Sequence, residues 1–459
     1  MSDLWHCSVT LHGKNEPVRK ELLGGRHFRL DTNAIPQFTC RNVPKRSRDL
    51  LRLASAVYAA DRIVARDRRS GDDGWTRRLT VEIEVEDCGF WQRSSAAELL
   101  TECLDFLTGD VWEFRFLDGP VGGNIPHQKH LEFETASSSP PVVCLYSGGL
   151  DSAAGLVHRL TSEPKNEYQP VTVWHRSGLR RTVLRQLKTV GERSGVRLSP
   201  LIAKYAMVRP SRLGNEETTQ RSRSFLFSTV GAVVASVLGA SRVEVYESGI
   251  GAVNLPLQTG MVGSRATRSC HPYFFRTFSR LLPEVFGQPV EFVLPFVDCT
   301  KGEVVKVLAE AGLEDCARST ISCVHYPLRD ERFKRCGLCP ACLFRRVALS
   351  SAGIREAENT YKWDVFRDDA NSLPQDRLRF LKAFLIQISS LSELDTPGKV
   401  PRQLSRHFYG TKALASGESV DSFVDVYRRY RQEWLSVIAR GRAMNMDWAQ
   451  LLSPESVLA

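Results

Sequence analysis

Strand-like runs and helical apolar stripes alternate along the first third of the chain. Three β-rich runs predict strands at Trp5–Leu11, Leu79–Glu86 and Val111–Phe116. Apolar residues at helical spacing predict two helices, Asp49–Arg66 and Ala96–Leu107. This mixture predicts an α+β accessory domain over residues 1–135, in which no group of side chains indicates catalytic chemistry.

Further along the chain, short β-rich runs alternate with helical stretches. The runs are Val142–Tyr146, Val171–Trp174, Leu198–Ile202, Val243–Tyr246 and Val290–Leu294. Such alternation predicts a parallel sheet covered by helices on both faces, and therefore an α/β domain over residues 136–348. Residues 349–459 form a predicted helical region, with helices at Pro374–Ile388 and Val420–Arg440. The Gly-, Ser- and Pro-rich segment Gly119–Pro141 predicts a linker.

Length and composition narrow the class of protein. With 459 residues, the chain has room for roughly two to four domains. Its 42% hydrophobic and 25% charged residues are ordinary for a globular enzyme. The longest apolar run, Phe225–Ala240, is shorter than the roughly 20 residues that span a bilayer, so it predicts a buried helix. The N-terminus lacks the basic stretch and apolar core of a signal peptide. We therefore expect a cytoplasmic protein that does not contact a membrane.

The net charge of +10 is concentrated in one part of the chain. Residues 141–350 carry 28 basic and 17 acidic side chains, whereas residues 1–140 have a net charge of −2 and residues 351–459 of +1. A concentrated basic field favours an anionic ligand. On charge alone, a solvated basic face explains the pattern equally well.

The strongest local signal is a glycine-rich turn between a strand and a helix. Residues 146–152 read Tyr-Ser-Gly-Gly-Leu-Asp-Ser, directly after the apolar run Val142–Leu145. Glycines let the backbone approach an anion, while free N–H groups and the helix dipole favour negative charge. Ser147 and Ser152 add hydroxyl donors. Because the turn contains no lysine, it differs from the loop of ordinary P-loop ATPases.

Four of the twelve cysteines are clustered: Cys323, Cys336, Cys339 and Cys342. Four thiolates suit a closed tetrahedral zinc site, which is structural rather than hydrolytic. An iron–sulfur cluster accepts the same ligands and stays open as an alternative. A redox C-x-x-C pair would leave two of the four cysteines unexplained. The other eight are scattered and predict small buried side chains.

The two motifs together carry a family resemblance. Ser-Gly-Gly-Leu-Asp-Ser resembles the pyrophosphate-binding loop of the PP-loop, or N-type, ATP pyrophosphatases. With the Cys…Cys-Gly-x-Cys-x-x-Cys-x-x-Arg-Arg pattern about 170 residues later, it resembles the 7-cyano-7-deazaguanine synthase (QueC) family over roughly Pro141–Ala348. Shorter likenesses occur at Arg221–Leu226, Gly249–Asn254 and Thr300–Val305. The resemblance implies a Rossmann-like, adenine-nucleotide-alpha-hydrolase-like (HUP) fold, with ATP, Mg²⁺ and Zn²⁺ as cofactors.

The resemblance also implies roles for individual residues. In the family, the loop grips the β- and γ-phosphates of ATP while a nucleophile attacks the α-phosphate. The implied nucleotide-binding residues are Ser147, Gly148, Gly149, Leu150, Asp151 and Ser152. Asp151 would organise Mg²⁺ or the loop, and Arg221, Arg223 and Lys301 would balance charge in the transition state. Each of these three cations alone could equally be a surface group.

Departures from the family concern the base and the acceptor. Arg268–Pro272 retains only the cysteine of the family's Tyr-Pro-Asp-Cys-Arg, and Trp174–Gly178 stands where the family has Asp-Tyr-Gly-Gln. The added terminal regions resemble enlarged QueC-like proteins of anti-phage systems, the QatC type, which are thought to attach a deazaguanine to a partner protein. The expected function is therefore that of a C–N ligase. It would adenylate a 7-carboxy-7-deazaguanine-like molecule and join it to the N-terminus of a partner encoded in a defence operon.

Other interpretations stay open. The protein could be the synthase proper, which uses ammonia, or a nucleotide-sensing scaffold without catalysis. It could be a tRNA-modifying PP-loop enzyme, in which Cys270 would carry sulfur, although a nucleic acid is not the favoured partner. Cys270 and His271 could also form a covalent relay.

Overall fold

The structure is a computed structural model. It describes residues 4–13, 16–67, 75–93, 95–121, 139–174, 178–257, 268–322, 335–368, 372–396, 398–401, 404 and 420–443. The predicted linker at Gly119–Pro141 lies mostly outside these residues, as does Cys323. None of the described helices is long and apolar enough to cross a membrane.

One sheet of ten strands organises the described part of the chain. Its strands are β1 (Trp5–His12), β2 (Val18–Gly24), β3 (Phe28–Leu30), β4 (Arg78–Val85), β5 (Val111–Asp118), β6 (Val142–Leu145), β7 (Tyr168–Trp174), β8 (Leu201–Met207), β9 (Arg242–Val245) and β10 (Glu291–Val293). Their order across the sheet is β10-β9-β6-β7-β8-β3-β2-β1-β4-β5. The five strands from β10 to β8 are all parallel, which confirms the predicted α/β fold.

The helices connect and cover these strands. In chain order they are α1 (Ala34–Thr39), α2 (Lys45–Ile63), α3 (Cys88–Arg93), α4 (Ala96–Thr108), α5 (Leu150–Ser162), α6 (Leu179–Ser194), α7 (Arg223–Leu238), α8 (Gly249–Val253), α9 (Pro272–Phe286), α10 (Lys301–Glu310), α11 (Glu314–Ser319), α12 (Pro340–Ser351), α13 (Gln375–Ser390) and α14 (Val420–Ala443). Short 3₁₀ turns lie at Pro210–Arg212, Glu358–Thr360 and Leu391–Asp395.

The parallel strands are covered on both faces, because successive side chains of a strand point to opposite sides. In β6, Val143 packs in the same apolar cluster as α7 and α9. Its neighbour Cys144 packs in a second cluster with α5, α6 and α10. Helix α7 contains the apolar run predicted to be buried, and it lies between the sheet and α2.

The first region of the chain extends the same sheet. Strand β3 pairs antiparallel with β8, placing Phe28 opposite Met207 and Leu30 opposite Tyr205. Apolar residues of β1 to β5 and of α2 share one core cluster with α7. The division at residues 135 and 348 stays a prediction, but the sheet and its core run continuously from the first region into the second.

The C-terminal helices form a further apolar cluster. Helices α13 and α14 pack with Ile250 and Val253 of α8 and with Leu343 and Val347 of α12. Helix α14 also contacts α10, the helix that begins with Lys301. The C-terminal region therefore packs directly against elements that belong to the α/β domain.

Four buried charges hold the first region to α7. Arg66 Nη1 and Arg77 Nη2 each lie 2.6 Å from a carboxylate oxygen of Asp110, and Arg77 Nη2 lies 2.6 Å from Asp61 Oδ1. The other oxygen of Asp61 accepts hydrogen bonds from the backbone N–H and hydroxyl of Ser222, at 3.1 and 2.8 Å. Two guanidinium groups and two carboxylates thus neutralise each other at the N-terminus of α7.

Removing one partner from this cluster should be costly. Asp110→Asn leaves two buried guanidinium groups facing one carboxylate, and breaking such a pair destabilises a protein by roughly 3–5 kcal/mol. Urea denaturation should show this loss in the free energy of unfolding. The matched control is Glu192→Gln, which removes one partner of an exposed Lys188–Glu192 pair and should change stability by less than about 1 kcal/mol. Equal effects of the two substitutions would contradict the role assigned to the cluster.

Candidate active site

The glycine loop joins β6 to α5 at the carboxyl edge of the parallel strands. Tyr146 donates its backbone N–H to Val171 O at 2.9 Å, and Thr172 Oγ1 donates to Tyr146 O at 2.6 Å. Gly148 has a φ of +72°, which L side chains rarely adopt, and a Cβ atom there would lie 3.2 Å from Val183 Cγ2. The glycine at this position therefore permits the turn.

The predicted nucleotide-binding residues lie together in this loop. Gly149 is the residue before the first turn of α5, which starts at Leu150. Ser147 Oγ lies 3.3 Å from Ser152 Oγ and accepts the backbone N–H of Gly149 at 3.2 Å. Ser152 Oγ donates to Gly149 O at 3.0 Å. Two hydroxyls and a helix N-terminus thus face the same turn, an arrangement that favours an anion.

Three charged side chains lie beside the loop. Lys301 Nζ, at the start of α10, contacts Asp151 Oδ2 and lies 3.7 Å from Glu247 Oε1. Their side chains are 16%, 17% and 23% exposed, so the group is largely withdrawn from water. Lys301 and Asp151, which come from distant parts of the chain, therefore meet beside the loop, while the roles expected for them stay predictions.

The net charge of this cluster depends on whether Glu247 is protonated. Burial raises the pKa of Glu247 to about 8, and the negative charge of Asp151 contributes to this shift. Burial alone lowers the pKa of Lys301, but Asp151 and Glu247 more than offset this effect and raise it. With Glu247 protonated, Asp151 and Lys301 balance each other; if both carboxylates are ionised, one negative charge is in excess, which an additional cation would compensate.

The cluster fits a magnesium ion. Asp151 Oδ1 is buried and has no hydrogen-bond partner among the described residues. A buried carboxylate oxygen without a donor is costly unless something binds it. Carboxylate oxygens next to phosphates are the ligands that Mg²⁺ prefers in nucleotide sites. Asp151 and Glu247 are therefore the residues that would hold such an ion.

The two predicted arginines separate in the structure. The positive charge of Arg223, the first residue of α7, lowers the pKa of Cys270. The charges of Asp151, Glu247 and Lys301 also influence this pKa. Arg221 points the other way, towards the first region of the chain. Its Nη1 donates to Thr108 O at 3.0 Å, and its guanidinium lies 5.0 Å from the Trp75 ring centre. The structure therefore does not bring Arg221 to the loop, because its side chain is used at the joint with the first region.

Cys270 and His271 lie beside the charge cluster. Burial raises the pKa of Cys270 well above its usual value, and Glu247 and Asp151 raise it further. His271 Nδ1 accepts the backbone N–H of Tyr273 at 3.1 Å and thereby caps α9. A protonated thiol and an imidazole nitrogen engaged in a cap disfavour a covalent relay between the two.

Three of the four predicted metal ligands converge. The sulfur atoms of Cys336, Cys339 and Cys342 lie within 4.8 Å of one another, and all three side chains are buried. Cys336 Sγ is 3.9 Å from Cys342 Sγ. Tetrahedral Zn²⁺ with bonds of about 2.3 Å holds its sulfur ligands about 3.8 Å apart. The cluster can therefore hold zinc, and the predicted fourth ligand, Cys323, lies outside the described residues.

The cysteine segment is connected to the glycine loop. Arg345, three residues after Cys342, donates from Nη1 to Thr320 Oγ1, and Arg335 donates from Nη2 to Thr320 O, both at 2.5 Å. The next residue, Ile321, donates its backbone N–H to Gly148 O at 2.9 Å. The cysteine segment therefore helps to fix the position of the loop.

The sequence analysis missed Glu247. This residue follows β9, and β9 pairs in parallel with β6, so both strands end at the same edge of the sheet. Functional groups of open α/β sheets lie outside the carboxyl ends of their strands. That rule, applied to the predicted strand Val243–Tyr246, would have identified Glu247 as a candidate.

The fold and site together define an α/β domain with an anion-binding glycine loop. Residues 141–353 match the family model described as "Queuosine biosynthesis protein QueC". This part of the chain is therefore similar to the QueC family, and the remaining regions lie outside the match.

Curated relatives show weaker similarity. A 7-cyano-7-deazaguanine synthase of an Anaeromyxobacter species is 34% identical over 90 residues, which cover 18% of this chain and 36% of the relative. The enzyme of the same name from Nitrosococcus oceani is 26% identical over 228 residues, 47% of this chain and 96% of the relative. That of an Azoarcus species is 26% identical over 236 residues, again 47% of this chain and 95% of the relative. This chain spans about a third of the first relative and nearly all of the other two.

The cysteine cluster gives a direct prediction. The purified protein should contain about one zinc ion per chain, and Cys339→Ser should lose both metal and solubility, because binding energy at a structural zinc site is folding energy. Elemental analysis measures the metal. The matched control is Cys40→Ser, since Cys40 is an exposed free cysteine away from the cluster. Well-folded protein without zinc would contradict this prediction, and iron in its place would favour the iron–sulfur alternative.

Proposed function

We propose that this protein is an ATP-dependent ligase that adenylates the carboxylate of a 7-deazaguanine and then forms an amide. The observation that carries the proposal is the meeting of Ser147, Ser152, Asp151, Glu247 and Lys301 at one sheet edge, within a QueC family domain. The names of the curated relatives support the deazaguanine as the substrate class.

Adenylation solves a chemical problem of the substrate. A carboxylate is a poor electrophile because its leaving group would be oxide. In the proposed first step, a carboxylate oxygen bonds to the α-phosphorus of ATP, the bond from that phosphorus to the β-bridging oxygen breaks, and pyrophosphate leaves. In the second step, an amine nitrogen bonds to the acyl carbon, AMP leaves and the nitrogen loses a proton. Both steps depend on positioning and on stabilisation of charge.

The chain's own groups match these requirements. The backbone N–H groups of the loop and the hydroxyls of Ser147 and Ser152 would hold the pyrophosphate portion. Lys301, kept charged by its two carboxylate neighbours, would stabilise negative charge as the phosphorus becomes pentavalent. Asp151 and Glu247 would hold Mg²⁺, which neutralises phosphate charge when it is bound. Arg223 lies close enough to act on the same cluster.

The acceptor is the least constrained part of the proposal. We favour the N-terminal amine of a partner protein, in an anti-phage defence role. The regions outside residues 141–353 are built onto the domain through the β3–β8 pair and through α14. This added surface supports a protein acceptor, since a typical protein contact buries about 800 Å² per partner. Ammonia as acceptor would instead give a primary amide, and a second ATP could activate this amide for loss of water, which gives the nitrile made by the synthase proper.

Two further alternatives make different demands. A tRNA-thiolating enzyme needs a reactive cysteine, and burial holds the Cys270 thiol protonated. A nucleotide-sensing scaffold needs the loop but no turnover. Pyrophosphate release separates the enzyme from the scaffold, and the identity of the modified product separates the enzymes from each other.

Nucleotide products test the reaction class. We expect the substrate-dependent products of ATP to be AMP and pyrophosphate. Asp151→Ala or Ser152→Ala should lower the rate by about 10²-fold or more, as when one preorganised contact to developing charge is lost. Chromatography of the nucleotides measures this effect.

The control for this experiment is Glu310→Gln. Glu310 lies at the end of α10, where its carboxylate is exposed and lies 3.4 Å from Lys306 Nζ. The Glu310→Gln substitution should leave the rate of AMP and pyrophosphate formation unchanged. ADP as the substrate-dependent product would refute the proposed chemistry.

Intact-mass spectrometry tests the acceptor. When the full chain is incubated with ATP, the deazaguanine carboxylate and a candidate partner, the partner should gain the mass of the carboxylate minus one water. An N-terminally acetylated partner should gain nothing, because its amine is blocked. The test needs the whole chain, since removing residues 1–135 would expose the core that β3 and α2 share with α7.

The alternative that the protein is the synthase proper, with ammonia as acceptor, makes the opposite prediction. If the protein converts the carboxylate and ammonia to the free nitrile base at an ordinary enzymatic rate, and no partner gains mass, conjugation to a protein is wrong.

A further inference from the structure

The helix that presents Lys301 is held by a helix from outside the family match. Helix α10 starts at Lys301, with Thr300 as its N-cap, and Thr300 and Glu303 cap each other reciprocally. Helix α14, which begins 67 residues beyond the matched segment's last residue, 353, lies against this first turn. The position of Lys301 therefore depends on packing that the QueC domain alone does not supply.

The contact centres on one carboxylate. Thr300 donates its hydroxyl hydrogen to Glu433 Oε1, and the backbone N–H of Gly302 also hydrogen-bonds to Glu433. The carboxylate of α14 thus receives donors from the residues on either side of Lys301. The first N–H groups of a helix have no partner within the helix, and a negative charge at this end is favourable.

The fit around Glu433 leaves no room for a side chain at position 302. A Cβ atom on Gly302 would lie 2.2 Å from Glu433 Oε1 and 3.0 Å from Ser351 Cβ of α12. The φ of Gly302 is that of an ordinary helix, so the turn itself does not require glycine. The close approach of Glu433 explains the small residue directly after Lys301.

An ion pair supports the same turn. Arg429 Nε lies 2.8 Å from Glu303 Oε1, and Arg429 Nη2 donates to Asp298 O at 2.5 Å. Arg429 and Glu433 are one helical turn apart on α14, so both reach the start of α10 from the same side. Residues 298–303 are therefore held by contacts with one face of α14.

We propose that Glu433 is a positioning residue that fixes Lys301 against Asp151, so that the C-terminal region completes the site. The proposal rests on the proposed function for its catalytic meaning, but the geometry can be tested without turnover. Glu433 acts on Lys301 through Thr300 and Gly302. Misplacing a group by about 1 Å can cost about 10²-fold in rate.

Chemical labelling of lysines measures how accessible the amino group of Lys301 is, and therefore whether it is held in place. Full-length protein is acetylated with a limiting amine-reactive ester at about pH 8, above the pKa of about 7 to which burial raises Glu433. Peptide mass spectrometry then compares Lys301 with Lys306, on the same helix. Their side chains are 16% and 66% exposed, so Lys301 should react more slowly in the wild-type protein.

Two variants disrupt the contact between Glu433 and the first turn of α10, one from each helix. Glu433→Ala removes the carboxylate, and Gly302→Ala places a methyl group against it. Alanine is favoured over glycine inside a helix by about 1 kcal/mol, so Gly302→Ala does not weaken α10 itself. Both variants should increase labelling of Lys301 several-fold relative to Lys306. The matched control, Gln432→Ala, changes an exposed residue on α14 and should leave the ratio unchanged.

The outcomes separate this inference from the proposed function. If folded Glu433→Ala and Gly302→Ala both label Lys301 at the wild-type rate, the positioning role is wrong. If labelling changes but the wild-type protein never releases pyrophosphate, the positioning role stands and the adenylation proposal fails. If both proposals hold, Glu433→Ala and Gly302→Ala should release pyrophosphate about 10²-fold more slowly than the wild-type protein. The change should lie in kcat more than in KM for ATP, because the proposed role of Lys301 is in the transition state.

Discussion

The parallel pairing of β6 with β9 is the constraint on which the candidate site depends. It aligns Cys144 with Glu244 and Leu145 with Val245, so the two strands end together. The glycine loop leaves one strand, and Glu247 follows the other. A carboxylate from one βα connection is thereby placed beside Asp151 of another, and Lys301 enters between them. Without this register, the three charges would have no reason to meet in a buried place.

Supports for this edge come from three distant parts of the chain. The cysteine segment acts through Arg345, Arg335 and Thr320 on the loop itself. The C-terminal helix acts on the first turn of α10. The first region acts on α7, whose N-terminus it neutralises with a buried cluster of two arginines and two aspartates. Each support uses charged groups whose partners are fixed, as a precise site on rigid elements requires.

The sequence predicted the central part of this arrangement because its signals are local. The glycine loop lies between an apolar strand and a helix, and both follow from residue order. The family resemblance implied that Lys301 lies near the nucleotide phosphates, but its contact with Asp151 was not predicted, because nothing local in the sequence specifies it. Strand Leu201–Met207 was expected to begin three residues earlier, and β2 was missed because only two of its seven side chains are buried and they give little apolar alternation. The direction of Arg221, towards Thr108, could not be predicted, because a basic residue before a helix does not reveal which side it faces.

The excess of basic residues in the middle region does not reveal where the candidate site lies. Several of its arginines are used within the fold: Arg159 pairs with buried Glu244, and Arg345 with Glu356. Beside the loop, the charge cluster is negative when its carboxylates are ionised. The site therefore joins two opposite fields, N–H and hydroxyl donors at the loop and carboxylates next to it. A free anion would be repelled by the second field and a free cation by the first. A metal–nucleotide complex, the ligand of the proposed function, has both signs of charge and would match both fields.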